Sequence, residues 1–127
     1  MTEELDPRLV ELAHRMFDLA REGGASQLAA YVDRGVPVDM TDASGNTLLM
    51  LAAYHGHADT VAALVERGAD VDRLNDRGQS PVAGAIFKGE DDVVRLLLAA
   101  GSDLDAGAPS GRATAEMVER GDLLDEG

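Results

Sequence analysis

At 127 residues the chain has the size of one domain. It carries 24 acidic against 11 basic side chains, a formal charge of −13, which argues against binding nucleic acid or anionic lipid, since both need a positive footprint. It has no cysteine, so disulfides, thiolate metal sites and cysteine nucleophiles are excluded. Hydrophobic content is ordinary at 45%, but aromatics are only 3%, so the core is expected to be aliphatic and alanine-rich. Ten of the eleven bases are arginine and Lys88 is the single lysine, a bias typical of GC-rich bacterial coding.

The first residues are acidic and lack the basic and apolar regions of a signal peptide. No apolar run approaches the length of a membrane span, so a cytoplasmic location is expected. Asp6-Pro7 predicts a helix start, with Asp capping and Pro at the first helical position. That helix runs to about Glu22, with Leu9, Leu12, Met16, Leu19 and Ala20 at helical spacing, and Gly23-Gly24 breaks it. A second helix, Ser26 to Arg34, turns Leu28, Tyr31 and Val32 inward and ends at Gly35.

The stretch that follows divides into two segments of equal length, 41–73 and 74–106. Laid over each other they agree at Gly45/Gly78, Ala52/Ala85, Gly56/Gly89, Val61/Val94, Leu64/Leu97, Gly68/Gly101 and Asp72/Asp105, among others. The offset is the same for every pair, and such a fixed period signals a repeat architecture. Each repeat reads as a turn and two short helices. Thr47 and Ser80-Pro81 are N-terminal signals for the first helix, and Gly56 and Gly89 end it. The second starts near Asp59 or Asp92 and carries one apolar stripe: Val61, Leu64 and Val65, then Val94, Leu97 and Leu98.

These residues resemble the ankyrin repeat. Gly45-Asn46-Thr47-Leu48-Leu49 stands at that family's G-x-T-P-L signature, and Ala52-Ala53, Gly56-His57 and 68–72 match its later blocks. Leu48 replaces the signature's proline, and Met50 and Ala83 stand at its usual histidine. The resemblance implies an all-α solenoid of paired short helices with hairpin-like turns. It would comprise about three helix pairs and a C-terminal capping half-repeat. Residues 8–40 are then a degenerate N-terminal capping repeat, and 107–127 the half-repeat and a tail. In the half-repeat, Gly111 to Ala115 aligns with Gly45 to Leu49, and Glu116, Glu119 and Arg120 face solvent. No second helix is expected there, and 122–127 is expected to fray.

No nucleotide, zinc-protease or hydrolase motif is present, so neither enzymatic activity nor a cofactor is expected. His55-Gly56-His57 lacks a third metal ligand. Asp70-Val71-Asp72 and Asp103-Leu104-Asp105 lack the fifth and sixth positions of a calcium loop, and the second Asp of each pair is expected to brace its turn. Glu90-Asp91-Asp92 suits a helix start.

The resemblance also implies a groove formed by turn tips and inner helices that binds a protein partner, whose identity the residues do not name. Its contact positions fall on Arg21, Glu22, Thr41, Ala43, Ser44, Asn46, Tyr54, His55, Arg67, Leu74, Asp76, Arg77, Gln79, Phe87 and Lys88. Tyr54 and Phe87, one repeat apart, should sit side by side, as exposed anchors or as inter-repeat packing. Tyr31 and Phe17 read as core. The competing function is a regulatory or inhibitory accessory subunit, antitoxin-like or associated with a stress enzyme, acting through the acidic surface. A monomer is expected, although Leu5, Leu123 and Leu124 would offer apolar edges.

Overall fold

A computed structural model of the chain describes residues 6–125. Seven α-helices and one 3-10 helix follow in order: α1 Pro7–Glu22, α2 Ala25–Asp33, α3 Leu48–Tyr54, α4 Ala58–Glu66, α5 Pro81–Lys88, α6 Asp91–Ala99, α7 Gly111–Met117, then Gly121–Asp125. Among the described residues there is no strand, only isolated bridges at Thr41–Thr47 and Gly107–Ser110. The inner helices α1, α3, α5 and α7 pack in succession, and the outer helices α2, α4 and α6 form a second row. The result is an all-α solenoid in which each helix pair buries its stripe against its neighbours.

The inner-helix starts follow the side chains that cap them. Asp6 accepts from the Arg8 N–H at 2.9 Å, with Pro7 in the first turn. Thr47, Ser80 and Ser110 each accept from the amide three residues on, at 3.1 to 3.2 Å. A Ser or Thr cap of this kind contributes roughly 1 kcal/mol. The core is aliphatic: Leu28, Leu48, Leu49, Leu64, Ile86 and Leu97 are essentially inaccessible, and Phe17 is buried while Tyr31 is half-buried against them.

The turns rise as fingers, and side chains other than histidine hold them. Asp42 Oδ1 accepts from the Ser44 and Asn46 amides at 2.9 and 3.0 Å. Asn75, its counterpart one repeat later, accepts from the Arg77 and Gln79 amides at 3.0 Å each. Asn75 also donates to Asn46 Oδ1 at 2.9 Å, so the fingers are tied together. Gly45 and Gly78 adopt φ of 77° and 75°, which closes each tip without a Cβ clash.

The aspartate pairs behave differently from the expectation. The first Asp of each pair braces its own turn: Asp70 accepts from the Asp72 amide at 3.0 Å, and Asp103 from the Asp105 amide at 2.9 Å. The second reaches the next repeat, Asp72 accepting from the Asp103 amide at 2.7 Å, as Asp39 accepts from the Asp70 amide at 2.9 Å. The second Asp sits at a turn, and its carboxylate meets an N–H that the next repeat leaves free.

The last segment also departs from the expected register. Ser110 caps α7 as Thr47 and Ser80 cap theirs, so Gly111 is a helical residue and not the turn glycine. The third finger, 107–110, is shorter than the first two, and a fixed sequence period cannot register that deletion. Residues 121–125 form a 3-10 helix with Leu123 1% accessible, where a frayed tail and an apolar edge were expected. Arg120 is only half exposed, held by two carboxylates. Its guanidinium bonds both Asp91 oxygens at 2.9 and 3.2 Å and both Asp122 oxygens at 3.0 and 3.1 Å, clamping the 3-10 helix to α6. This clamp holds the Asp91 and Asp122 carboxyls below their usual value. Leu5 lies outside the described residues.

Candidate protein-binding groove

Finger tips and inner-helix ends enclose the concave face. Ser44 and Asn46 on the first finger, Tyr54 and His55 at the end of α3, and Arg77 and Gln79 on the second finger line one cleft of about 280 Å³. Six of the expected contact positions therefore converge. Met50, Leu51 and Asn75 complete the lining. Asn75 was legible as the repeat partner of Asp42, and Met50 as the residue at the histidine position.

Arg21, Thr41, Ala43 and Ser44 line a second, wider groove of about 870 Å³ between α1 and the first finger. Ser44 joins the two spaces. Glu22 is exposed at the end of α1. Asp76 is exposed, and its N–H bonds the Ser44 carbonyl at 3.0 Å. Leu74 is 40% exposed beside Gly107 at the third finger. Arg67 stands apart. Its guanidinium pairs with Asp33 at 2.9 and 3.2 Å, bracing α4 against α2.

The two aromatics take different roles. Tyr54 is 36% exposed, and its ring lies over the face of α5 left open by Gly84. Lys88 Nζ sits 4.9 Å from the Tyr54 ring centroid, a cation–π contact, and the His55 ring meets Tyr54 edge-on at 5.6 Å. Phe87 is 62% exposed and makes no ring contact with Tyr54 among the described residues. The expected side-by-side pair is thus a Tyr54–Lys88 pair with Phe87 projecting beyond it. The helical step between Phe87 and Lys88 turns the ammonium, not the ring, toward Tyr54.

Basic groups gather here in an acidic chain. Burial lowers the His55 pKa from 6.5, and the nearby His57, Lys88 and Arg21 lower it further. His57 Nε2 lies 2.6 Å from the Arg21 carbonyl, joining the start of α4 to the end of α1. The arrangement offers an aromatic ring, amides and cations on a braced scaffold, a surface suited to recognition.

Comparison with known proteins agrees with this architecture. The family profile for ankyrin repeats, in three copies, matches residues 16–108. A Pseudomonas aeruginosa protein named for its ankyrin repeats is 45% identical over 53 residues. That match covers 42% of this chain and 31% of the relative, so the chain spans less than a third of the relative's length. Ankyrin repeats are generally protein–protein interaction modules and generally non-enzymatic, and no helix among the described residues is long and apolar enough to cross a membrane. With the profile covering most of the chain and the helix-pair solenoid beneath it, this protein belongs to the ankyrin-repeat family.

Proposed function

We propose that the chain is a non-enzymatic binding module that holds a protein partner in the groove between its first two fingers and inner helices. The observation that carries the reading is the convergence of Ser44, Asn46, Tyr54, His55, Arg77 and Gln79 on one cleft, with Phe87 exposed next in sequence to the Lys88 that meets Tyr54. An exposed aromatic at a braced, concave site is the usual anatomy of a binding hot spot. Lys88, Arg77 and His55 favour an acidic patch on a partner whose other surfaces tolerate a chain of charge −13.

The experiment is affinity capture from the source cell's lysate at low and high salt, with wild type, Phe87→Ala and Lys88→Gln. Phe87→Ala should leave stability within about 0.5 kcal/mol, because the ring is largely in water. Tyr54→Ala is the less clean probe, since it also removes packing on α5 and the Lys88 contact. A partner retained by wild type in high salt and lost with Phe87→Ala supports the groove. A partner indifferent to both substitutions and released by salt refutes it. That outcome would favour the accessory-subunit reading, in which the aspartates of the outer loops form the contact.

A further inference from the structure

The fingers are joined by main-chain hydrogen bonds that all run in one direction. The Asp76 N–H donates to the Ser44 carbonyl at 3.0 Å, and the Ala108 N–H, in the short third finger, donates to the Gly78 carbonyl at 3.0 Å. Each finger gives a donor to the one before it, but among the described residues the stretch one repeat ahead of the first finger, 8–14, is helix α1 and not a finger. Ala43 stands one repeat ahead of Asp76, at the same place in its finger. Its N–H has no acceptor among the described residues, although both neighbouring amides are used: Asp42 N–H bonds the Asn46 carbonyl and Ser44 N–H bonds Asp42 Oδ1.

The space beside Ala43, where an earlier finger would stand, is the groove of about 870 Å³. Leu9, Val10, Ala13 and Phe17 give its α1 wall an apolar strip, with Leu9 59% exposed and the exposed His14 beside it. The charges at the rim are mutually engaged, with Arg21 reaching Asp18 at 3.1 Å and Asp42 at 4.0 Å. A free main-chain donor beside an apolar strip calls for a carbonyl flanked by a nonpolar side chain. A small anion would meet the Asp18 and Asp42 carboxylates, and a second copy of this chain would set one charge of −13 against another.

We infer that this groove takes an extended segment of a partner protein that joins the finger stack as its leading member. One backbone carbonyl of the segment accepts from the Ala43 N–H, and an adjacent apolar side chain covers Leu9 and Val10. Main-chain pairing supplies affinity and the apolar contact sets the register. The site lies beyond the Tyr54 cleft and its occupancy does not depend on that cleft.

The test uses linear random peptides displayed as a library and selected on the full chain. Ala43 is the second residue of the turn closed by the Gly45 N–H on the Asp42 carbonyl at 3.0 Å, a position that favours proline. Ala43→Pro therefore removes the donor and keeps the turn. Selected peptides should slow hydrogen exchange of the Ala43 amide. Their affinity should fall about tenfold with Ala43→Pro or with Leu9→Ser, and should be unchanged by Phe87→Ala. Four results would overturn the inference: no selected binder, equal affinity for Ala43→Pro, an Ala43 amide whose exchange is unaffected at saturation, or dimers that form with concentration and vanish with Ala43→Pro. Peptides kept by Ala43→Pro and lost by Phe87→Ala would likewise overturn it while supporting the cleft reading.

Discussion

Leu123→Ala tests whether the segment after α7 is an integral part of the stack. Leu123 is 1% accessible and belongs to the continuous core, and its 3-10 helix packs on both α7 and α6. Burying a leucine side chain is worth about 1.5–3 kcal/mol, and a buried Leu→Ala change costs about 2–5 kcal/mol once the cavity is included. The segment is a single short helix, held by the Leu123 N–H on the Arg120 carbonyl at 3.1 Å and by the Arg120 clamp, so it can settle into part of the gap. The expected loss is therefore near the low end, about 2 kcal/mol. Urea unfolding followed by circular dichroism measures it, and amide exchange locates it. In a stack whose stability is a sum of local and nearest-neighbour terms, the Ala115 amide in α7 should exchange faster while that of Leu51 in α3 changes little. A loss below about 0.5 kcal/mol, with α7 exchange unchanged, would refute the reasoning and return residues 121–125 to a passive tail.

Other expectations rest on single positions. Thr60 is fully buried in α4 and its hydroxyl has no protein partner, while the equivalent residue one repeat later is the buried Val93. Thr60→Val should therefore raise stability by about 1 kcal/mol, read from the urea midpoint, and a loss would mean the hydroxyl is satisfied in solution. Glu119 holds φ of 58° just after α7, in the left-handed region where glycines end α1 and α5. Glu119→Gly should relieve this and add up to about 1 kcal/mol, whereas Glu119→Val should lower the midpoint. His55 should titrate below 6.5 by NMR, and Lys88→Gln should move its midpoint upward; an unmoved midpoint would deny their proximity. Because that pKa is depressed, the unfolded chain takes the proton first. The stability His55 contributes is complete above 6.5 and is lost as pH falls through its folded-state midpoint. Asp91 and Asp122 add a second loss as pH falls below 3.8 through their own lowered values, and Arg120→Gln should flatten it in acid-unfolding curves.

The repeat period, the paired helices and the caps at Asp6, Thr47 and Ser80 were all legible in the chain. Each depends on local spacing: a cap needs one side chain and an amide three residues away, and a helical stripe needs only a recurring apolar step. The tertiary structure decided the rest, because those features join residues from different repeats or different faces of one helix. It set Lys88 rather than Phe87 against Tyr54, drew Arg67 away to Asp33, and paired Arg120 with Asp91. It also shortened the third finger and buried Leu123, which no fixed period could indicate. The unpaired amide of Ala43 belongs to the same class. Periodicity shows where an inter-repeat donor recurs, and only the stack shows which of those donors has no neighbour to meet.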